Sequence, residues 1–137
     1  MAISRIFPKG TILVTIAANI GHAAVLDFDS ACPDSLVGIT PGDQLDTWYL
    51  EYFLQTQQPE MDRLAPKGTQ KNIKIQFLRP WPIAVPQIDE QREIAHVLQV
   101  LDRHISVHVR RRAALEVLFS TLLHQLMSGR ACVSHGE

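Results

Sequence analysis

The amino-acid sequence predicts an α+β protein, in which a small mixed β-sheet globule with short helices is followed by one long helix of the coiled-coil type. Short β-rich runs separated by glycine and proline fill the first 86 residues, and an apolar seam with heptad spacing fills the last fifty. The 137 residues include 46% hydrophobic and 20% charged residues, a balance typical of folded chains. We expect a partial globular domain over residues 1–86, a long helix over 87–129 and a frayed tail over 130–137.

Three strands are predicted near the start of the chain. Thr11–Ala17 is rich in β-branched residues, and His22–Phe28 can pair with it across a glycine turn. A loop containing a proline, Asp29–Asp34, separates these two runs from a third strand, Leu36–Thr40.

A first helix is predicted over Thr47–Gln57. Asp46 is a candidate N-cap, because an aspartate oxygen can accept hydrogen bonds from the first N–H groups of a helix. Pro59 should end the helix, because proline lacks the N–H that the helical hydrogen bond needs. Four aromatic side chains share one face, and we expect this face to be buried in the core rather than to stack on bases: Trp48, Tyr49, Tyr52 and Phe53.

A polar loop and a further strand are predicted next. The loop runs from Ala65 to Asn72. In Ile73–Leu78 apolar residues alternate with Lys74 and Gln76, which is the pattern of a strand with one solvated face. Three prolines then form the boundary between the globule and the long helix: Pro80, Pro82 and Pro86.

The long helix is predicted from Glu90 to Met127, with Asp89 as its cap and Gly129 as its stop. At about 1.5 Å per residue its length is roughly 57 Å, so this chain alone cannot bury its apolar stripe. Alternating spacings of four and three residues keep that stripe facing a partner helix in a left-handed coiled coil. The seam residues are Ile94, Leu98, Leu101, Ile105, His108, Arg112, Leu115, Phe119, Leu122 and Leu126.

The charge balance excludes a uniformly basic surface. Residues 1–86 carry seven Lys/Arg and eight Asp/Glu, and residues 87–137 carry six of each, so a nucleic-acid surface must come from local clustering. Cys32 and Cys132 match no metal-binding or redox spacing, and we expect them to be reduced in a cytoplasmic protein. The apolar run Thr11–Ile20 is too short to span a bilayer, so we expect no membrane partner.

No constellation of residues predicts catalysis, a metal site or a cofactor. His104 and His108 have the i,i+4 spacing of two ligands on one helix face, but no Cys, Asp or Glu stands where it would complete a tetrahedral set. The serines occupy no glycine-flanked elbow, and no glycine-rich loop is placed to hold a phosphate. A small hydrolase built around His22 or His96 is an alternative with no further support.

Several phrases, taken in order, resemble one protein family. They are Lys9-Gly10-Thr11-Ile12-Leu13-Val14, Ile20-Gly21, Gly38-Ile39-Thr40-Pro41, Tyr49-Leu50 with Tyr52-Phe53-Leu54, the stretch KGTQKNI from Lys67 to Ile73, and Val85-Pro86 leading to Glu90-Gln91-Arg92-Glu93-Ile94-Ala95. Together with the long helix they resemble the DNA-specificity subunits of type I restriction-modification systems. The resemblance covers most of residues 8–128.

The resemblance implies DNA recognition without catalysis. In that family each target recognition domain reads one half of a split DNA site, and helical conserved regions space two such domains and bind the methyltransferase (modification) subunits. The implied partners are double-stranded DNA, a methyltransferase subunit and, through the long helix, a second copy of the chain. Methyl transfer and DNA cleavage belong to other subunits, so we expect no cofactor here. Because the resemblance begins well inside a recognition domain, we expect its N-terminal part to be absent; the alternative is a truncated coiled-coil interaction protein that no longer binds DNA.

We expect the DNA contacts chiefly in the polar loop. Its lysines can meet phosphates, its glycine allows a close backbone approach, and its glutamine and asparagine carry the amide pair that reads adenine edges. The alternative is that the amides only tie down the loop while the lysines stay solvated. The candidates, including one lysine before the first predicted strand, are Lys9, Lys67, Gly68, Thr69, Gln70, Lys71, Asn72 and Lys74.

Two polar residues interrupt the seam of the long helix. His108 and Arg112 lower the stability of a coiled coil there, but such residues can set its register and the orientation of its partner. Arg110 and Arg111 project beside the seam, where they can clamp phosphate, pair with acidic residues of a partner or remain solvated.

Overall fold

The computed structural model of the protein describes residues 5–65 and 72–130. The chain divides into two compact units, Met1–Val97 and Leu98–Glu137. The elements confirm the predicted α+β class, with short strands first and one long helix last. In chain order they are β1 (Arg5–Phe7), β2 (Ile12–Thr15), β3 (Ala23–Val25), β4 (Ser30–Cys32), β5 (Leu36–Ile39), α1 (Thr47–Leu64), α2 (Ile75–Leu78) and α3 (Ile88–Met127).

The central sheet contains the three strands predicted first. β2 lies in the middle and pairs antiparallel with β3 on one side and with β5 on the other. The N–H of Thr15 donates to the carbonyl of His22 at 2.9 Å, and the N–H of Ile16 donates to the carbonyl of Ser35 at 3.0 Å. Because ladder bonds alternate along a strand, odd-numbered residues of β2 bond to β3 and even-numbered residues bond to β5.

A second sheet pairs β1 with β4, and the sequence did not predict it. Arg5 lies opposite Cys32, and Phe7 lies opposite Ser30, in antiparallel register. Each strand has only three residues, too few to show a period of two, and β4 falls within the segment predicted to be a loop. Cys32 is buried and forms no disulfide, whereas Cys132 lies outside the described residues.

The two sheets meet where the ring of Phe7 lies over Gly38 of β5. A Cβ atom built at Gly38 would lie 2.4 Å from the nearest ring carbon. That distance is far below van der Waals contact, so only glycine at this position lets Phe7 lie against the central sheet.

The main core lies between the central sheet and α1. Asp46 caps α1 as predicted, because its carboxylate accepts hydrogen bonds from the N–H groups of Trp48 and Tyr49, both at 3.0 Å. One face of the helix then packs on β2 and its neighbours. The buried residues of this core are Ile12, Val14, Ile20, Leu50, Leu54, Met61, Ala65 and Ile73.

The aromatic face of α1 does not lie in this core as predicted. Trp48 is 42% exposed, and Tyr49 is only half-buried. Tyr52 and Phe53 are also only half-buried. The helix points its leucines at the sheet, which leaves the aromatic rings on the flanks. The hydroxyl of Tyr49 donates to the carbonyl of Ala84 at 2.9 Å, so this flank holds the proline-rich segment instead.

The helix α1 also runs past Pro59 to Leu64, so its predicted end was wrong. Pro59 cannot donate to the carbonyl of Gln55, a loss that costs about 3 kcal/mol in a helix interior. The side chains of Met61 and Ala65 beyond the proline are both buried in the core. Their burial offsets the lost hydrogen bond and keeps the chain helical.

The predicted strand Ile73–Leu78 is also wrong beyond its first residue. Asn72 forms an isolated bridge with Ala17, and the N–H of Ile73 donates to the carbonyl of Ile16 at 2.9 Å. Past that point no described strand pairs with this segment. The segment forms the short helix α2 instead, with hydrogen bonds within its own backbone. At the end of this helix the N–H of Arg79 donates to the carbonyl of Ile75.

The ends of α3 are set by local sequence. The helix begins at Ile88, so Asp89 lies in its first turn rather than capping it. Its C-terminus confirms the predicted stop, because Gly129 has a positive φ of 69°. The N–H of Arg130 donates to the carbonyl of Gln125, and the N–H of Gly129 donates to that of Leu126, which together form a Schellman motif.

The first turns of α3 are bound to the globule by Gln91, whose side chain is fully buried. Its Oε1 accepts from the N–H of Asp46 at 2.8 Å, and its Nε2 donates to the carbonyls of Gln44 at 3.1 Å and Pro86 at 2.8 Å. One amide therefore satisfies a donor and two acceptors, all belonging to backbone outside α3.

We predict that Gln91→Leu strongly destabilises the fold. Leucine fills a similar volume, but it leaves one N–H and two carbonyls of this part-buried site without their partner, and each such group costs about 1–3 kcal/mol when it stays out of water. Urea denaturation should show a free energy of unfolding lower by about 3 kcal/mol. Gln87→Leu, at an exposed position four residues earlier, is the matched control and should stay close to wild type. Equal stability of both variants would contradict the role given to Gln91.

We also predict that Gly38→Ala destabilises the protein by about 1–3 kcal/mol, because the added methyl group overlaps the Phe7 ring. Gly42→Ala is the control, since a Cβ there meets no atom within 4 Å. Thermal melts monitored by circular dichroism compare the two variants. If Gly38→Ala melts no lower than Gly42→Ala, close contact between Phe7 and Gly38 does not hold the two sheets together.

Candidate nucleic-acid interface

Most of the loop predicted to touch DNA lies outside the described residues. This holds for Lys67, Gly68, Thr69, Gln70 and Lys71. The structure does describe Lys9, Asn72 and Lys74, and it places them in two different surroundings.

Asn72 and Lys74 line one depression of about 370 Å³ together with Arg5 of β1. All three side chains are exposed. Asp34 also lies on the lining, and apolar residues, among them Phe7, complete it. The depression therefore presents two cations, one amide and one carboxylate on an exposed surface.

The fold fixes these groups through backbone pairing rather than through their side chains. Arg5 is held opposite Cys32 by the second sheet. Asn72 is bridged to Ala17, and the adjacent Ile73 is bonded to the end of β2 and buried. The functional groups can therefore point to solvent from a rigid base, as a preorganised binding surface requires.

The turn after β2 lies next to this base and is strained. Ala18 has a φ of 60°, a left-handed conformation that is costly for a residue with a Cβ atom. The hydroxyl of Thr15 holds the turn, because it accepts from the N–H of His22 at 3.0 Å and donates to the carbonyl of Asn19. This strain sits one residue from the Ala17–Asn72 bridge, and strained backbone is typical of functional surfaces.

Lys9 is not brought to this depression. It lies between β1 and β2, where its backbone N–H donates to the carboxylate of Asp29 at 2.8 Å. It is absent from the residues that line the depression. Sequence reasoning thus included Lys9 but overlooked Arg5, which no local pattern singles out and which only the pairing of β1 with β4 positions.

The predicted seam of α3 changes its surroundings along the helix. The buried residues of α3 are Gln91 and Ala95, which are not among the seam residues, and the seam residue Leu98 is half-buried. From Leu101 to Arg130 every residue is exposed, so the seam is open to solvent over this stretch. The exposed fraction reaches 69% at Phe119.

The C-terminal part of α3 carries a wider apolar surface than the seam alone. Leu118 and Leu123 flank the seam and are 52% and 50% exposed. The middle part is polar, because His108 and Arg112 occupy the seam there, and Arg112 forms an exposed ion pair with Glu116 at 3.0 Å. The heptad pattern predicts the two polar positions, but not the additional apolar surface of Leu118 and Leu123.

Other chemistries find little support among residues 5–65 and 72–130. This part of the chain contains no group of three or more His, Cys, Asp or Glu side chains placed to hold a metal ion. None of its helices is apolar over a length sufficient to cross a membrane.

A protein-family model matches residues 4–117, and it describes the type I restriction modification DNA specificity domain. The chain belongs to this family. The match includes the depression, the strained turn and the first thirty residues of α3, and it confirms the family that the sequence phrases predicted.

Individual proteins with similar sequences are also type I specificity subunits. A putative type I specificity subunit of Mycoplasma pneumoniae is 35% identical over 100 residues, which cover 71% of this chain and 27% of that protein. A type I restriction enzyme specificity subunit of Methanocaldococcus jannaschii is 32% identical over 114 residues, or 82% of this chain and 26% of that protein. This specificity domain therefore spans about a quarter of the length of these relatives.

Solved structures show the same fold. The S subunit of a type I restriction-modification system from M. genitalium superposes with a TM-score of 0.69 at 28% identity. The superposition covers 88% of this chain and 33% of that one. The α+β architecture with a long final helix is thus the architecture of a specificity domain.

Proposed function

We propose that this chain is the DNA-reading module of a type I restriction-modification system, or one part of that module. The observation that carries the proposal is the family match over residues 4–117. The grouping of Arg5, Asn72 and Lys74 in one exposed depression gives the module a surface of suitable chemistry. We also infer a cytoplasmic location for this chain, because the DNA of cells without a nucleus lies in the cytoplasm.

The charged groups of the depression suit contacts with DNA phosphates, and its amide suits contacts with base edges. Arg5 and Lys74 can neutralise neighbouring phosphates, which positions the protein on the duplex. Asn72 can pair with the edge of an adenine in the major groove. The remaining predicted residues, 67–71, directly precede Asn72 in the chain, so we assign sequence readout to that segment and to Asn72.

We further propose that the chain does no chemistry on DNA. The family match supports this proposal, because it describes a DNA specificity domain, which is a recognition role. Catalysis is assigned to methyltransferase and restriction subunits, to which this chain gives sequence recognition.

We propose that the exposed stripe of α3 binds the methyltransferase subunit or a second copy of the chain. Seam residues from Leu101 to Leu126 are exposed, and helices of this pattern bury their stripe against another helix. The partner is a helix of the methyltransferase subunit or the same helix of a second copy.

We predict that the double variant Arg5→Gln/Lys74→Gln binds DNA more weakly and with less salt dependence. Each lost phosphate contact should lower the slope of log affinity against log salt by about 0.9, giving a total change of about 2. Fluorescence anisotropy with a labelled mixed-sequence duplex at about 50 and 200 mM salt measures both quantities.

Arg92→Gln is the matched control for this experiment, since it removes an exposed arginine of α3 that faces Asp89 at 3.5 Å. It should leave affinity and slope unchanged. If the wild-type chain binds no duplex at low salt, even beside a cognate methyltransferase subunit, the DNA-reading function is refuted and the truncated interaction protein is favoured.

We predict that Leu101→Asp and Leu115→Asp each abolish association through α3. A carboxylate in the seam must be desolvated when the helices pack, and that cost exceeds the gain from burying the remaining leucines. Light scattering measures self-association, and co-purification measures binding to the methyltransferase subunit.

Val117→Asp is the control, because Val117 is 67% exposed but lies outside the seam. It adds the same charge to the same helix and should leave both complexes intact. Wild-type mass and an intact methyltransferase complex in both seam variants would show that the seam is not the dock. Loss of only one complex would identify the partner.

A further inference from the structure

The outer edge of β5 has backbone groups that no described strand satisfies. The pairs Val14–Val37 and Ile12–Ile39 are the hydrogen-bonded pairs between β2 and β5, because even-numbered residues of β2 bond to β5. The alternation of ladder bonds then directs the N–H and carbonyl of Gly38, and the N–H of Thr40, away from β2. Within residues 5–65 and 72–130, β2 is the only strand that pairs with β5.

An apolar cavity of about 400 Å³ borders this edge. Side chains of the sheet, of α1 and of α2 line it, and the proline-rich segment closes it with Trp81 and Ile83. Ligand sites in proteins have volumes in the same range. The cavity thus offers buried apolar contact directly beside free ladder groups.

Arg79 is the one charged residue that lines this cavity among the described residues. Its side chain is exposed, and no described carboxylate pairs with it. An occupant of the cavity would therefore meet apolar walls with a single cation at the rim.

We propose that β5 and this cavity accept an extended segment of a second polypeptide as an added strand. Such a segment would bond to Gly38 and Thr40, place apolar side chains at alternate positions in the cavity, and direct a carboxylate to Arg79. Charge complementarity at Arg79 selects an acidic segment.

The test is a selection of random peptides displayed on phage against the full-length chain, with Arg79→Glu as a parallel target. Wild type should enrich peptides with apolar residues at alternate positions and an Asp or Glu. Arg79→Glu should enrich Lys or Arg at that place, and Arg79→Lys should behave as wild type. No enrichment, no alternation, or the same charge preference for both targets would overturn the proposal.

Amide hydrogen exchange with the best synthetic peptide then locates the binding site. The amides of Gly38 and Thr40 should exchange at least tenfold more slowly with the peptide, while those of Val37 and Ile39, already bonded to β2, should not change. Unchanged exchange at Gly38 and Thr40 refutes strand addition. Their protection in the free chain, together with a doubled mass by light scattering, would instead assign the edge to a second copy. Failure here leaves DNA reading intact, because the two proposals use different residues.

Discussion

The buried amide of Gln91 makes three hydrogen bonds to backbone outside its own helix, and these bonds join three parts of the fold. It accepts from Asp46, at the start of α1, and donates to Gln44 and Pro86. Asp46 in turn caps α1 with its carboxylate, which accepts from the N–H groups of Trp48 and Tyr49. The beginning of α1, the end of the proline-rich segment and the first turn of α3 are therefore held at one point. A buried polar group of this kind specifies geometry because no other arrangement satisfies all its partners.

Local patterns predicted those parts of the fold whose cause is local. The cap Asp46, the stop at Gly129 and the three strands of the central sheet each depend on a few adjacent residues, and each is found in the structure. The failures share the opposite cause. Pro59 stays helical because of burial further along the chain, and Ile75 is helical where no strand of the described residues pairs with it. Such effects arise from tertiary packing, which a single sequence does not display.

The candidate DNA surface shows the same division between local and remote causes. Asn72 and Lys74 were predicted from the composition of their loop, which is a local property. Arg5 was missed, because its place in the depression depends on the pairing of β1 with β4, two strands separated by more than twenty residues. Gln91 belongs to the phrase Glu90–Ala95, which is part of the family resemblance, but the sequence of that phrase does not show that the Gln91 side chain is buried.

The exposed apolar surface of α3 also has a consequence for the lifetime of the free chain in the cell. A free chain presents Leu115, Phe119, Leu122 and their neighbours to water, and surfaces of this kind promote aggregation and recognition by chaperones and proteases. If the proposed partner covers this surface, copies of the chain made in excess of that partner would be degraded faster than bound copies. The abundance of this chain would then follow the abundance of its partner, and the exposed helix itself would set the ratio of the two.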